Sequence, residues 1–265
     1  MIKCAVLGSP ISHSLSPILH RKAYEILGIE GSYEAIEKDE QAFPSFMTSA
    51  RKENWNGFSL TMPLKEVALK VADEIDPTAL KIASANTLIN NSGVWRAIST
   101  DYLAFRKLID VAHGSKVAII GGGGTARAAV GALDGKVGAV DILLRSSQRL
   151  DALKLAAGSV KITPLDMSAD ISKYDFVIST VPRGATDQIA ENLDDVSGTL
   201  LECLYAPWPT NLAAAWAGLN SQVISGLDLL VEQGLHQISF MTKLDFDYSQ
   251  MRKSLLVAGI EAANR

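Results

Sequence analysis

The chain has 265 residues, of which 48% are hydrophobic and 20% charged, and its formal net charge is -4. This length suits one large domain or two ordinary ones, and the composition is that of a protein with a sizeable core. A pI of 5.6 argues against a general nucleic-acid-binding or anionic-membrane surface, since either would need a basic patch.

Cysteine, histidine and hydropathy patterns exclude further classes. The two cysteines, Cys4 and Cys203, lie in apolar strand-like runs and are predicted to be buried, reduced thiols. The four histidines show no metal-ligand spacing, so no metal is expected. No segment approaches the ~18 apolar residues of a membrane span, and the apolar start of the chain is too short for a signal-peptide core. We therefore expect a cytoplasmic protein with no nucleic-acid or membrane partner.

The first hundred residues alternate between strand-like and helix-like patterns. This βαβα rhythm predicts a mostly parallel sheet covered by helices. Asn90-Asn91-Ser92-Gly93 separates two short apolar runs and predicts a hairpin within residues 86–98. The predicted strands and helices are, in order, 2–7, 17–27, 33–36, 41–51, 55–61 and 64–71.

A second series of strands and helices follows a turn at His113-Gly114-Ser115. A helix over 101–112, with Thr100 or Asp101 as its N-cap, connects the two series. We therefore predict an α/β protein of two domains, residues 1–101 with about 240–265, and residues 102–239, with the C-terminal helices returning to the first domain. The further predicted strands are 116–120, 140–144, 176–180, 200–204 and 222–224, and the helices begin near 125, 148 and 211 and span 227–242 and 249–263.

The stretch KVAIIGGGGTARAAV predicts a dinucleotide site. It fits G-x-G-x-x-A with Gly121, Gly123 and Ala126, between an apolar strand and an Ala-rich helix. Such glycines permit a tight turn and a close approach of the pyrophosphate to the helix N-terminus, and a small residue lets the helix pack on the sheet. A glycine-rich turn without a ligand is the alternative. The candidate cofactor loop is Gly121, Gly122, Gly123, Gly124, Thr125 and Ala126.

The end of the following strand favours NADP over NAD. NAD sites usually have Asp or Glu at that strand end to bind the ribose 2′-hydroxyl, but Asp141 comes too early in the strand. Arg145, Ser146 and Arg149 stand there instead, and a planar guanidinium can bind a 2′-phosphate through two parallel hydrogen bonds. The alternative is that both arginines are ordinary surface charges.

Four polar segments remain, SPISHSLSP, GFSLTMPLK, ASANT and STDYLAF. Three of them have a structural explanation, since Ser16 before Pro17 suits a helix N-cap, Lys65 on a helix is commonly solvated, and Asp101 suits a cap. Their common position at strand ends or helix starts instead points to the ligand crevice of a parallel sheet. The candidates are Ser14, Ser16, Thr61, Lys65, Asn86 and Asp101.

Together these motifs resemble those of the shikimate dehydrogenase family, in the same order, from residue 2 to about 240. The sequence departs from the family pattern at Ser59, Ser99, Leu144, Val181-Pro182 and Asp228. The matching positions are Ser14, Ser16 and Pro17; Gly57, Thr61, Pro63 and Lys65; Asn86-Thr87; Thr100-Asp101; Gly121–Thr125; Arg145, Ser146 and Arg149; Tyr205, Pro207 and Thr210; Gly226; and Gln233.

The resemblance implies an N-terminal substrate domain, a Rossmann-like NADP-binding domain, and NADP-dependent reversible reduction of 3-dehydroshikimate to shikimate in aromatic amino-acid biosynthesis. It implies that Lys65 and Asp101 are catalytic and that Gly226 lies near the nicotinamide. Ser14 and Ser16, with Tyr205, would bind the substrate carboxylate. The ring hydroxyls would contact Thr61, Asn86 and Gln233.

Other functions remain open from the sequence. One is a paralogue that accepts quinate or uses NAD, and another is a different two-domain NADP enzyme, such as a methylene-tetrahydrofolate dehydrogenase, against which the Ser14 and Ser16 cluster argues. A third is a non-catalytic sensor of NADP and shikimate, which would typically lack the proton donor that Lys65 supplies. The expected assembly is a monomer or homodimer.

Overall fold

The structure is a computed structural model and describes residues 1–264. The chain divides into two compact units. Unit 1 contains Met1–Leu103 and the chain from Leu230 onward, and unit 2 is Ala104–Leu229. The sequence predicts boundaries at 101/102 and about 239/240. In the structure the second boundary falls earlier, between Leu229 and Leu230, so the chain re-enters unit 1 inside the helix Gly226–Thr242 and not after it.

The bounds of the strands and helices follow the predicted alternation. The strands are β1 (Ile2–Gly8), β2 (Gly31–Glu37), β3 (Gly57–Leu60), β4 (Glu74–Ile75), β5 (Thr87–Asn91), β6 (Val94–Ile98), β7 (Val117–Ile120), β8 (Ala139–Leu143), β9 (Lys161–Leu165), β10 (Phe176–Ser179), β11 (Thr199–Glu202) and β12 (Val223–Ile224). The helices are α1 (Ser16–Leu27), α2 (Phe43–Ala50), α3 (Ala68–Val71), α4 (Pro77–Lys81), α5 (Thr100–Leu108), α6 (Gly124–Leu133), α7 (Leu150–Ala157), α8 (Asp187–Glu191), α9 (Asn211–Gly218), α10 (Gly226–Thr242) and α11 (Tyr248–Ala263).

Unit 1 is built on a mixed sheet with the strand order β2-β1-β3-β5-β6-β4. Strand β1 is parallel to β2 and β3, while β5 runs antiparallel to β3 and to β6. The predicted hairpin is confirmed, and it turns at Ser92 and Gly93, which both have positive φ (55° and 95°). Two such residues give the hairpin a twist that matches its strands. This hairpin makes the sheet mixed where the sequence predicted mostly parallel pairing.

The core of unit 1 is aromatic. The rings of Phe58 on β3 and Trp95 on β6 stack with centroids 5.1 Å apart, and Trp55 lies against Phe58 at 5.0 Å. Phe43 and Met47 of α2 close the same cluster from one face of the sheet. Burial of this large apolar area stabilises the central strands. The polar side chains at their carboxyl ends are therefore not needed to hold the sheet together.

Unit 2 has an entirely parallel sheet with the order β12-β11-β10-β7-β8-β9. This is the doubly wound Rossmann order, in which the chain reverses direction across the sheet between its first and fourth strands. The predicted Rossmann-like fold is thus confirmed. The first and fourth strands are β7 and β10, so their carboxyl ends form the position at which such sheets bind ligands.

Some short elements were not predicted. Strand β9 contains Pro164 and is largely exposed, and it is tolerated because it forms the edge of the sheet. Helices α4 and α8 each have five residues, too few for a periodic apolar pattern.

Within residues 1–264, no helix is long and apolar enough to cross a membrane.

Candidate active site

The carboxyl ends of β1 and β3 meet at one place in unit 1. Thr61 donates its backbone N–H to Leu7 (2.9 Å), and Ser9 donates to the carbonyl of Met62 (3.0 Å). A Cβ added at Gly8 would stand 2.3 Å from Cγ2 of Thr61, so only glycine fits between them. The SPISHSLSP segment and Thr61 therefore leave the sheet at the same edge, as the sequence predicted for a ligand crevice.

The two serines of the SPISHSLSP segment lie at the start of α1. The predicted N-cap role of Ser16 is wrong, because Leu15 occupies the cap position with helical φ and ψ and Ser16 is the first helical residue. Ser14 instead accepts the backbone N–H of Ser16 at 3.3 Å. Ser16 is buried and Ser14 is half-buried. Because Ser16 does not cap the helix, capping does not explain why two serines stand at this position.

Lys65 lies in a turn, not on the predicted helix 64–71. Only Ala68–Val71 is helical, because the N–H of Leu64 turns back to the carbonyl of Thr61 (2.8 Å) and Pro63 has no N–H to offer. The Lys65 carbonyl accepts from Ala85, which fixes the turn against the chain that precedes Asn86. Lys65 is thus held by long-range backbone contacts and is not a solvated helix residue.

Lys65 and Asp101 form the shortest ion pair of the candidate site. The Nζ of Lys65 lies 2.6 Å from Oδ2 of Asp101, and the two side chains are only 17% and 10% exposed. Solvent screening is weak at such exposure, so this interaction is stronger than that of a surface pair.

Asn86 joins that pair to the N-terminus of α5. Its Nδ2 donates to Oδ1 of Asp101 at 2.8 Å, and its Oδ1 accepts the backbone N–H groups of Thr100 (2.7 Å) and Asp101 (3.3 Å). These are amides of the first turn, which have no partner within the helix. The two amide atoms of Asn86 thus have opposite fixed roles, and the side chain is 3% exposed.

The predicted cap of α5 needs correction. The helix begins at Thr100, and Ser99 accepts the N–H of Tyr102 at 3.3 Å, so Ser99 performs the capping role expected of Thr100 or Asp101. Serine caps a helix about as well as the asparagine that the family usually has at position 99, so the departure keeps the capping role. Asp101 falls in the first turn, where the helix dipole favours a carboxylate.

Gln233 completes the polar cluster of unit 1 from helix α10. Its Oε1 accepts from Nδ2 of Asn86 at 3.1 Å and from the Thr100 hydroxyl at 3.4 Å, while its Nε2 donates to the Leu230 carbonyl at 2.7 Å. The structure thus brings together Lys65, Asn86, Asp101 and Gln233 from four separate stretches of sequence. Sequence reasoning missed Gln237, although it follows Gln233 by one helical turn on the same face.

The glycine loop of unit 2 has the geometry that the motif predicted. Gly121 has φ +111°, and a Cβ there would stand 2.5 Å from Oγ1 of Thr180, which follows β10. At Gly123 an added Cβ would meet no atom nearer than Nη1 of Arg149 at 3.9 Å, so the outer side of the loop is open. Ala126 is fully buried, which lets α6 pack close to the sheet.

Gly122, Gly124 and Thr125 complete the loop. A Cβ at Gly122 would lie 3.0 Å from Cδ2 of Leu144, so the loop passes closely over the end of β8. Gly124 and Thr125 form the first turn of α6, whose N-terminus carries the positive end of the helix dipole. An open, glycine-lined cradle at a helix N-terminus fits a dinucleotide pyrophosphate.

The end of β8 is positively charged. Arg145, Ser146 and Arg149 are all exposed after this strand, and the Arg149 side chain lies along Gly122, within 3.2 Å of where a Cβ would stand. Asp141 lies within β8 and accepts the Tyr174 hydroxyl at 2.7 Å. Asp141 therefore does not take the place of the carboxylate that an NAD site has at this strand end, because it lies earlier in the strand and binds Tyr174.

Tyr205 and Gly226 both belong to unit 2. Tyr205 is half-buried in the segment after β11, where the carboxylate of Glu202 accepts from Leu204 N–H (3.2 Å) and the Thr210 hydroxyl (3.1 Å). Burial raises the pKa of Glu202. A Cβ at Gly226 would lie 2.4 Å from the Leu204 carbonyl, so the start of α10 packs directly on this segment.

The departure at Asp228 has a structural cause. Asp228 accepts from the N–H and hydroxyl of Ser225 (3.2 and 2.6 Å), and its own N–H donates to the Ser225 hydroxyl at 3.2 Å. This reciprocal arrangement is a capping box at the N-terminus of α10.

Among residues 1–264, no group of three or more His, Cys, Asp or Glu side chains could hold a metal ion.

Comparison with known proteins identifies similar chains. Residues 6–88 match the shikimate dehydrogenase substrate binding domain family. A shikimate dehydrogenase (NADP(+)) of Staphylococcus aureus is 27% identical over 96% of this chain and 98% of its own length. The crystal structure of Mycobacterium tuberculosis shikimate dehydrogenase superposes with a TM-score of 0.87 at 34% identity, covering 98% of this chain and 99% of that one. The shikimate 5-dehydrogenase of Thermus thermophilus, solved in complex with NADP(H) and shikimate, has a TM-score of 0.84 at 30% identity, with coverages of 97% and 100%.

Proposed function

This chain belongs to the shikimate dehydrogenase family, and we propose that it catalyses the NADP-dependent, reversible reduction of 3-dehydroshikimate to shikimate in aromatic amino-acid biosynthesis. The observation that carries the proposal is the weakly exposed ion pair of Lys65 and Asp101 at the end of β3. It lies in the unit that contains the match to the family's substrate binding domain.

Lys65 is the proposed acid and base. NADPH, when bound, would supply a hydride to the C3 carbonyl carbon, and the carbonyl oxygen would then need one proton. The Lys65 ammonium can stabilise the developing alkoxide by its charge and donate that proton from Nζ. In shikimate oxidation a neutral Lys65 accepts the hydroxyl proton. Asp101 orients Nζ of Lys65 through its 2.6 Å contact and so holds the lysine side chain in position.

The remaining polar side chains of unit 1 have proposed substrate roles. Thr61, Asn86 and Gln233 would contact ring hydroxyls, and Ser14 and Ser16 would bind the carboxylate. For Tyr205, which belongs to unit 2, the carboxylate role is what the family resemblance alone implies. Asn86 and Gln233 support this assignment because their amides are held by neighbours, which leaves little orientational freedom to lose on binding. These roles rest on the family resemblance together with that geometry.

The cofactor assignment rests on charge and shape in unit 2. The glycine cradle over Gly121–Gly123 and the first turn of α6, from Gly124 through Thr125 to the packing residue Ala126, would bind the pyrophosphate. Arg145 with Ser146 and Arg149 would bind the 2′-phosphate, and Gly226 would leave room for the nicotinamide. A paralogue that uses NAD or accepts quinate is the second candidate, because Leu144 replaces a family asparagine beside Arg145.

Location and assembly are also proposals. A cytoplasmic location agrees with two cysteines that are not joined by a disulfide. Cys4 is fully buried, and desolvation raises the pKa of its thiol to about 12, which keeps it unreactive. The predicted burial of Cys203 is wrong, because this residue is only half-buried directly after β11. We propose a monomer or homodimer, which sedimentation of the purified chain would distinguish.

The test is the initial rate of shikimate oxidation, followed by nicotinamide absorbance. NADP and NAD are compared in parallel, and quinate is the second substrate. Fast reduction of NADP with shikimate alone supports the proposed activity. Comparable rates with NAD or quinate would assign the chain to the broader paralogue. Binding of both ligands without turnover would instead indicate a sensor.

A further inference from the structure

A buried amide, Gln237, connects the interior of unit 1 to the candidate proton-transfer pair. Its side chain is fully buried on α10, one turn beyond Gln233. Its Nε2 lies 3.0 Å from the Thr87 hydroxyl and 3.3 Å from the backbone carbonyl of Asn86. Its Oε1 lies 2.7 Å from the Ser59 hydroxyl and 3.3 Å from Nε2 of His20. All four positions that the amide can use are thereby occupied.

The direction of these hydrogen bonds is determined by chemistry. The Asn86 carbonyl can only accept, so the NH2 group of Gln237 must face it, and Oε1 must face Ser59 and His20. Ser59 then donates to Oε1 and accepts from the Tyr33 hydroxyl at 2.5 Å. His20 must carry its proton on Nε2. Burial lowers the pKa of His20 to about 3, so this neutral form persists at working pH.

The same directional chain continues to Lys65. Because Thr87 accepts from Gln237, its own O–H is directed to Oδ1 of Asn86 (3.3 Å) or to Thr100 (3.1 Å). Asn86 then presents Nδ2 to Asp101, and Asp101 accepts Nζ of Lys65. The amide and carboxylate links each have one possible direction, whereas the hydroxyls of Thr87 and Thr100 can exchange donor and acceptor roles.

We propose that Gln237 is a positioning residue for proton transfer, which holds the backbone of Asn86 in place and, through Asn86, positions Asp101 and Lys65. The proposal rests on the proposed function only for its kinetic readout. Gln237 donates directly to the backbone carbonyl of Asn86 and to the Thr87 hydroxyl, which in turn contacts Oδ1 of Asn86, so loss of the Gln237 amide removes the backbone contact and disturbs Thr87. The N–H groups of Thr100 and Asp101 still determine which way the Asn86 amide faces.

Ser59 and Gln237 form a matched pair across this contact. The Ser59 hydroxyl is 2.7 Å from Oε1 of Gln237, so the longer asparagine that the family usually has at position 59 would overlap the Gln237 amide. With a short side chain at 237, an asparagine at 59 could extend into the vacated volume and supply an amide there. We therefore expect Ser59→Asn to recover part of the loss caused by Gln237→Ala, and to impair the enzyme when introduced alone.

The experiment compares Gln237→Leu with wild type in shikimate oxidation. We expect kcat/KM for shikimate to fall about 10- to 100-fold, mainly in kcat, as for a reacting group displaced by a fraction of an ångström. The midpoint of the pH profile of kcat/KM should also move. NADP affinity should stay within about twofold, because the cofactor residues are in unit 2. Thr242→Val is the matched control, since it removes a buried hydroxyl from the same helix outside this network.

A second readout does not depend on turnover. Side-chain amide protons of Asn86, followed by 15N NMR, should exchange slowly in wild type and faster in Gln237→Leu, with no such change in Thr242→Val. Unchanged exchange together with an unchanged pH profile would reduce Gln237 to a packing residue and overturn the proposal. An inactive wild-type enzyme would refute the proposed function alone, because the exchange comparison would still decide the role of Gln237.

Discussion

Lys65 and Asp101 approach within 2.6 Å although they lie on opposite sides of a hairpin in the sequence, in the turn after β3 and in the first turn of α5. The turn is fixed by the Lys65 carbonyl bond to Ala85, and the helix start by Oδ1 of Asn86. Ala85 therefore holds the turn that carries Lys65, and the neighbouring Asn86 holds the helix start that carries Asp101. The geometry of the pair thus depends on the backbone of Ala85 and the side chain of Asn86, which bind the backbone of the two partners' own segments.

Replacing Lys65 tests proton transfer. Lys65→Ala should lower kcat for shikimate oxidation roughly 10²- to 10⁴-fold, as for loss of a general acid or base, and should change KM much less. Asp101 remains held by Asn86, so the fold should persist. Steady-state kinetics with circular dichroism would measure both effects.

The control for Lys65 is Lys70→Ala. Lys70 is an exposed residue of α3, and its loss removes the same charge from the same segment. Its kinetics should match wild type. If Lys65→Ala also turned over at the wild-type rate, another group would have to supply the proton.

The glycine loop gives a test on conformation. Gly121→Ala puts a side chain at φ +111° with its Cβ 2.5 Å from Oγ1 of Thr180. We expect about 1–3 kcal/mol of lost stability from the backbone conformation alone, and weaker NADP binding. Thermal denaturation and an NADP titration would measure these effects. Gly114→Ala is the control, because no atom lies within 4 Å of its added Cβ, and it should change neither quantity.

Arg145 tests the preference for NADP. Arg145→Ala should weaken NADP binding about 10- to 100-fold, the loss of a charge-assisted contact of roughly 1.5–3 kcal/mol, and leave NAD binding nearly unchanged. Fluorescence titration of both nucleotides would give the ratio. Lys154→Ala removes an exposed charge from α7 of the same unit and should weaken neither. Equal losses for NADP and NAD in Arg145→Ala would mean that Arg145 does not contact the 2′-phosphate.

The sequence predicted the sheets better than the caps. Runs such as 117–120 and 176–178 are buried on both faces, so their continuous apolar character identified parallel strands. The glycine loop located the start of the Rossmann order. The caps at Leu15 and Ser99 differ from the prediction by one or two residues, because the cap depends on where φ and ψ become helical.

The candidate site could be predicted as a set of residues but not as a network. Strand ends pointed to Lys65, Asn86 and Asp101, whose functional roles stay predictions. Gln237 could not be found in the same way, since a glutamine in an apolar helix has no motif. Its importance follows from which atoms meet Ser59 and Thr87 across long sequence separations, and only tertiary structure defines those contacts.

His20 gives a prediction about stability and pH. Its ring stacks on Tyr33 with centroids 3.9 Å apart, and burial lowers its pKa to about 3, whereas an unfolded histidine has a pKa near 6.5. Between these values the unfolded chain binds a proton that the folded chain does not. Falling pH therefore lowers the free energy of unfolding, by about 1.4 kcal/mol per pH unit from this residue once the pH is below 6.5.

Urea unfolding between about pH 7 and pH 4 would measure that contribution. His20→Phe keeps an aromatic ring against Tyr33 but cannot be protonated, so it should be less stable near neutral pH, where it loses the contact to Gln237, and should lose stability less steeply on acidification. His13→Phe is the control, because His13 is exposed and should leave the slope unchanged. Parallel slopes for wild type and His20→Phe would show that the folded and unfolded chains protonate His20 alike, and the neutral state assigned to the buried ring would be wrong.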